Sequence, residues 1–227
     1  MFRALLDMAF PTYCLTCHQS LDSQQQQLCL ACEYALPINE YYKTPQQNPL
    51  VQRFTGRFEV KYAVSYLNFV NKGKTQKLLH ELKYEGNQEI GEYLGQQFGK
   101  LLYENGFTTA FDLIVPIPLH SSKLKQRGYN QVDSIAKGMA ESLHIAWQAD
   151  ALIRTRANQQ QAKQDKEGRL KNAEALFVIN ENTEIKGKNI LLLDDMITSG
   201  ATIEAAALPI IEAGCQTISI ASLASAL

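Results

Sequence analysis

Residues 190–202, ILLLDDMITSGAT, decide the fold: an apolar run, two acids, two further residues, then a turn of hydroxyls and glycine leading into a helical pattern. Ile190 to Leu193 do not alternate with polar residues, which suits a strand covered on both faces in a parallel sheet. Ligands of such sheets bind beyond the carboxyl ends of the strands, and Asp194 and Asp195 fall there. Thr198, Ser199, Gly200, Ala201 and Thr202 can turn hydroxyls and backbone N–H groups inward at the start of a helix. Unpaired donors and the helix dipole favour an anion at that place, and a phosphate fits. Neighbouring side chains on an extended strand point apart, so one ligand touching both acids must lie at the strand's end. The Gly-Lys-Ser/Thr that closes a Walker-type loop is absent. An Asp-rich turn can also do no more than cap a helix, and that alternative stands beside the ligand site.

The same string is similar to the phosphoribosyl-pyrophosphate motif of type I phosphoribosyltransferases. The resemblance implies that Asp194 and Asp195 hold the ribose hydroxyls and Mg²⁺, and that residues 198–202 hold the 5′-phosphate.

The length and an apolar content of 45% allow one substantial domain plus a small module. A net charge of −1 excludes a whole-protein polycation, but from His120 to Lys171 ten Lys or Arg face five acids. That local excess suits an anionic partner or a solvated face equally. No apolar run reaches the ~20 residues of a transmembrane helix, and no signal segment is visible, so a cytoplasmic protein without a transmembrane segment is expected. Phe2, Leu5, Leu6, Ala9 and Phe10 recur at helical spacing. They predict a short amphipathic helix packed on the body, with a membrane-surface anchor as the alternative.

Cys14, Cys17, Cys29 and Cys32 form two Cys-x-x-Cys pairs. Each pair can occupy two corners of a zinc tetrahedron, and four sulfur ligands leave no position for catalytic water, so the expectation is structural Zn²⁺. A disulfide or redox role is the alternative. Cys215 reads as a buried small hydrophobe. The polar, proline-containing stretch 36–50 has the composition of a linker, which suggests residues 1–45 as helix, zinc ribbon and linker, and 46–227 as the main domain.

Within that domain, strand patterns at 60–69, 112–118, 151–154, 190–195 and 217–222 alternate with helical patterns at 75–84, 90–103, 129–143 and 203–212, implying an α/β parallel sheet. Pro116 and Ile117 end one strand and lead to Lys123, Lys125, Arg127 and Gly128. This places cations on the same rim as the Asp194 turn, where pyrophosphate could sit, with Gly128 letting the backbone approach. Lys83, near a helix end, is a further anion-binding candidate, although helix capping alone accounts for it. Residues 154–172 are polar and longer than most connections, the signature of a mobile hood or a disordered insert.

The cysteine knuckles, Leu82-Lys-Tyr-x-Gly86, Val115 to Leu119, Arg127-Gly-Tyr-Asn-Gln131, 154–161, 169–172 and the Asp-Asp turn together closely resemble the ComF/GntX family. The resemblance implies a type I phosphoribosyltransferase-like parallel sheet flanked by helices behind a small N-terminal zinc ribbon. It also implies phosphoribosyl pyrophosphate and Mg²⁺ as ligands, and a role in natural transformation or in the uptake and handling of single-stranded DNA alongside competence-machinery proteins. The 6-oxopurine-accepting members begin the phosphate turn with an acid. Thr198 stands there, so that acceptor class is disfavoured, and the sequence names no other. Two functions follow: a phosphoribosyltransferase or sugar-phosphate-binding protein, or a nucleic-acid-binding adaptor that keeps the fold without transferase activity. In the second, Arg154, Arg156 and Arg169 would contact DNA.

Overall fold

The run at 190 forms the middle strand of a five-stranded, all-parallel sheet. The computed structural model describes residues 12–22, 25–155 and 176–226. The N-terminal amphipathic pattern, Arg156, Arg169 and most of the expected hood lie outside them. The elements are α1 (Leu30–Tyr34), α2 (Pro49–Gln52), β1 (Ala63–Asn68), α3 (Lys74–Tyr84), α4 (Gln88–Glu104), β2 (Leu113–Pro116), α5 (Ser121–Arg127) and α6 (Gln131–Leu143). They continue with β3 (Ala146–Trp147), β4 (Leu152–Arg154), β5 (Phe177–Ile179), β6 (Asn189–Ile197), α7 (Ala201–Glu212) and β7 (Thr217–Ser225).

The sheet order is β1-β7-β6-β2-β3. From β2 the chain passes through α6 to β3 on one side, and from β6 through α7 to β7 on the other. The strand order therefore reverses between β2 and β6, and the crevice at their carboxyl ends is where a sheet of this kind places its ligand. Register sets the rims level: Pro116 pairs with Leu193, one residue before Asp194. Ile190 to Leu193 are fully buried, as a strand covered on both faces requires.

Helices α4 and α6 lie backbone to backbone on one face. A Cβ on Gly95 would stand 2.2 Å from the Ile135 carbonyl oxygen, and one on Gly138 would stand 2.1 Å from that of Glu92. Only glycine permits this approach, and it fixes where α6 begins, beside the crevice.

Four expectations are corrected. The stretch 36–50 is not a loose linker: Asn68 N–H bonds Pro37 O, Asn39 N–H bonds Tyr66 O, and Asn39 Nδ2 donates to Asn68 Oδ1 at 2.7 Å. These bonds lay the stretch along β1. The 151–154 strand pairs outside the main sheet, antiparallel to β5. The cationic loop after Pro118 contains helix α5, ended by Gly128 with φ 80°. No atom lies within 4 Å of a Cβ built on Gly128, so the left-handed cap, not close approach, is what calls for glycine. Cys215 is half-buried rather than buried.

Candidate functional site

Strand β6 does not stop at the acids but continues to Ile197, its Asp194 paired with Ser222 and Met196 with Ala224 of β7. Asp194 is half-buried and Asp195 buried. Although alternation is expected to point them apart, both line one cleft of about 190 Å³. Its walls include Lys83, Ile117, Lys123, Arg127, Arg154 and Thr202. Burial, followed by the charge of Asp195, raises the Asp194 carboxyl to about 7, against a backbone hydrogen bond from Asp195 N–H and the charges of Lys83 and Arg154. A cation or hydroxyl donors in the cleft would favour its ionised form.

Beside this cleft, residues 198–202 wrap a smaller hollow of about 30 Å³ with Asp194 on its wall. Gly200 caps α7 with φ 81°, and a Cβ there would meet the Phe54 ring at 2.9 Å. Arg53 Nη1 donates to Thr198 O, and Arg57 pairs with Glu204 at 2.8 Å. The segment after α2 thus braces the turn from outside. No local pattern in the sequence pointed to Arg53, Phe54 or Arg57, because their partners lie some 145 positions along the chain.

Lys83 Nζ sits 3.0 Å from Asp195 Oδ2. A residue that capping alone could explain is therefore spent on an acid of the site. Arg127 Nη1 donates to Gln131 Oε1 at 2.7 Å, and its guanidinium lies 5.3 Å from the centre of the Tyr84 ring. Pro116 is buried at the end of β2 and Ile117 lines the cleft, while Gly128 is absent from the lining. Arg154, a candidate DNA contact above, is half-buried. It lies over the Phe177 ring at 5.2 Å and lines the cleft with Asp194. Its buried Nε has no partner among the described residues, and burial lowers its pKa against the charge of Asp194.

A hollow of about 720 Å³ lies at the amino ends of β1 and β7 and is lined by Phe58, Val60, Lys61, Cys215 and Ile218. It is at the wrong end of the strands for a ligand of this sheet and gathers no comparable set of charges.

The four N-terminal sulfurs form the second site, all within 4.8 Å of one another. Cys17 Sγ and Cys29 Sγ are 3.7 Å apart, close to the ~3.8 Å edge of a tetrahedron with ~2.3 Å Zn–S bonds. All four cysteines are free thiols. Burial opposes ionisation of Cys14, but the Thr16 hydroxyl and backbone groups of Cys29, Cys17 and Thr16 outweigh it and bring the thiol down to about 5. At Cys17 a backbone hydrogen bond at Gln19 favours the thiolate, yet burial and the sulfurs of Cys32, Cys14 and Cys29 push it up to about 12. Four sulfurs so close ionise together only around a cation, and the cluster fits a metal ion.

Comparison with known proteins agrees with this geometry. Residues 132–227 match the phosphoribosyl transferase domain family. DNA utilization protein YhgH of Escherichia coli strain K12 is 27% identical over 146 residues, 63% of this chain and 63% of the relative. Competence protein ComFC of Bacillus subtilis strain 168 is 31% identical over 139 residues, 61% of this chain and 54% of that one. Competence protein F of Haemophilus influenzae is 29% identical over 118 residues, 51% of each. The match thus spans less than two thirds of the length of these relatives. Among solved structures, the glutamine phosphoribosylpyrophosphate amidotransferase of B. subtilis is 18% identical over 63% of this chain and 30% of its own, with a TM-score of 0.45. Adenine phosphoribosyltransferase of Leishmania donovani is 14% identical over 71% and 83%, with a TM-score of 0.39. Both likenesses are too slight to add to what the strand order shows. Among the described residues no helix is long and apolar enough to cross a membrane. Residues 132–227 thus resemble a phosphoribosyl transferase domain, and the chain is similar in sequence to competence and DNA-utilization proteins, in keeping with its resemblance to the ComF/GntX family.

Proposed function

We propose that the crevice between β2 and β6 binds phosphoribosyl pyrophosphate with Mg²⁺, and that the protein works in the handling of DNA during competence or nutrient use. The observation that carries the first part is the charge pattern of a single crevice. Asp194, Asp195, Lys83, Lys123, Arg127 and Arg154 line it together with Thr202, and the Thr198–Thr202 turn wraps the adjoining hollow that also touches Asp194. A neutral ligand has no use for four cations, and a bare polyanion has none for two acids. A sugar carrying hydroxyls between two phosphate groups uses both.

In this reading residues 198–202 hold the 5′-phosphate through N–H groups and hydroxyls at the start of α7. Asp194 and Asp195 hold ribose hydroxyls and Mg²⁺, a hard cation that takes oxygen ligands and keeps several waters. Arg127 and Arg154 neutralise pyrophosphate, with Lys123 on the same wall and Lys83 engaged with Asp195. The bound ligand would supply an activated sugar–pyrophosphate bond, and the acceptor remains the variable. Four thiolates hold structural Zn²⁺. The second part rests on the competence and DNA-utilization names of the relatives. Single-stranded DNA is its nucleic-acid partner, and the place of Arg154 in the cleft wall makes sugar phosphate and DNA competitors for that residue.

Calorimetry with phosphoribosyl pyrophosphate and Mg²⁺ tests the reading. Binding is expected to need Mg²⁺ and to weaken at least ~10-fold in Asp194→Ala/Asp195→Ala, since each lost charge-assisted hydrogen bond is worth ~1.5–3 kcal/mol. Unchanged affinity in that variant overturns the site assignment. In the same cell a single-stranded oligonucleotide is expected to bind with a steep salt dependence and more weakly to Arg154→Ala. Salt-independent binding, or none, overturns the DNA part alone.

A further inference from the structure

We propose that Gln131 is a positioning residue whose carboxamide joins the Arg127 guanidinium to the Asp195 carboxylate, so that the two sides of the crevice are held as one unit. The Gln131 side chain is buried, its residue only 2% exposed. Its Oε1 accepts from Arg127 Nη1 at 2.7 Å, and its Nε2 donates to Asp195 Oδ2. A guanidinium only donates and a carboxylate only accepts, so a single orientation of the amide satisfies both neighbours. The amide is thereby locked between two charged groups.

Its backbone is equally fixed. Gln131 is the first residue of α6, capped by Asn130, whose Oδ1 accepts from Val132 N–H. Asn130 Nδ2 also donates to Ile117 O at 3.2 Å, which ties the start of α6 to the end of β2. The preceding Tyr129 hydroxyl donates to Leu82 O, next to Lys83, whose Nζ is 3.0 Å from the same Asp195 oxygen. Residues 127–131 are thus less an anion loop than a joint between the ends of α3, β2 and β6.

A neutral amide does here what a direct ion pair would not. Among the described residues no ion pair joins Arg127 to Asp195. Direct pairing would spend both charges on each other, whereas the amide takes one nitrogen of Arg127 and shares one oxygen of Asp195. The remaining nitrogens and the second oxygen are left to the crevice that both residues line. In the sequence Gln131 is only the last residue of the Arg127-Gly-Tyr-Asn-Gln131 motif. Its partner, 64 positions away, came only with the fold.

The role rests on the phosphoribosyl-pyrophosphate reading, and its test has one arm with that ligand and one without. Gln131→Met keeps the length and removes both hydrogen bonds. Calorimetry with phosphoribosyl pyrophosphate and Mg²⁺ is expected to show ~10-fold or greater weakening, the range for partners that orient ligating groups. Arg127→Met should weaken binding further, because it also removes a cation from the pyrophosphate, and adding Gln131→Met to it should cost little more, because both remove the same link. Additive losses, or wild-type affinity in a folded Gln131→Met, overturn the proposal. In the second arm, ¹⁵N NMR of the ligand-free protein should place the Gln131 side-chain NH₂ signals away from those of exposed glutamines, and Arg127→Met should move them. Signals at the exposed position and indifferent to Arg127→Met overturn the joint, whatever binds. If the wild type binds no sugar phosphate yet these signals respond to Arg127→Met, the functional reading falls and the joint stands.

Discussion

Asp133, in the first turn of α6, shows what a single residue contributes beside the site. Burial raises its carboxyl to about 6, against a hydrogen bond from Asn130 Nδ2 at 2.7 Å. The ordinary value for an aspartate is 3.8, so between that pH and about 6 the unfolded chain binds fewer protons than the native protein, and rising pH favours unfolding. The stability Asp133 contributes is therefore full below about pH 4 and gone above about pH 6. Asp133→Asn is expected to flatten this part of the pH dependence by about 1–2 kcal/mol, solvent screening of the partly exposed group having reduced the full value. Urea unfolding of both proteins on either side of this window measures it. Equal pH dependence in the two overturns the assignment.

Among the elements, the α4–α6 pair places the site. α6 brings Asn130 and Gln131 to the crevice only because Gly95 and Gly138 let the two backbones touch. A methyl group at Gly138 would also stand 2.8 Å from the backbone nitrogen of Gln96, and backbone cannot swing aside as a side chain can. Gly138→Ala is expected to destabilise by ~1–3 kcal/mol or more through forced separation of the helices. That outweighs the gain of up to ~1 kcal/mol in helix propensity from replacing glycine with alanine. Chemical denaturation of the variant checks the sign, and a stabilised Gly138→Ala would contradict the packing described. The same substitution should weaken ligand binding, because α6 cannot move without carrying Gln131 away from Asp195.

The whole molecule joins the cysteine cluster to the sheet domain. Cys14, Leu28, Cys29, Cys32 and Leu36 belong to the same buried cluster as Leu78, Leu94 and Phe98 of α3 and α4. Lys77 Nζ donates to Thr16 O at 3.0 Å, and Gln27 Nε2 to Glu89 Oε2 at 3.2 Å. A metal that holds this module therefore also covers one flank of the main core. Elemental analysis is expected to give about one zinc per chain, since four thiolates complete one tetrahedron. Stripping it with a strong chelator should lower the melting temperature of the whole protein in one transition. Two independent transitions, or a zinc-free protein of equal stability, would contradict this coupling.

Local chemistry made much of this legible in the sequence. Unbroken apolar runs gave the buried strands, helical spacing gave α3, α4, α6 and α7, and paired cysteines gave the cluster. The acids and the turn after β6 announced an anion-and-hydroxyl site because residue types at those spacings act over a few positions of chain. Tertiary structure decided whatever depends on distant partners. It placed Arg154 in a wall of the cleft and brought Lys83 onto Asp195. It set Arg53 and Phe54 against the phosphate turn and laid the supposed linker along β1. Such contacts leave no periodic trace, because a lysine at a helix end has the same local reasons to be there whether or not a carboxylate waits 3.0 Å away. The sequence by itself determined which groups this protein can offer a ligand. Only the fold, by closing helix on helix and strand on strand, decided which of them face one crevice and which hold the others in place.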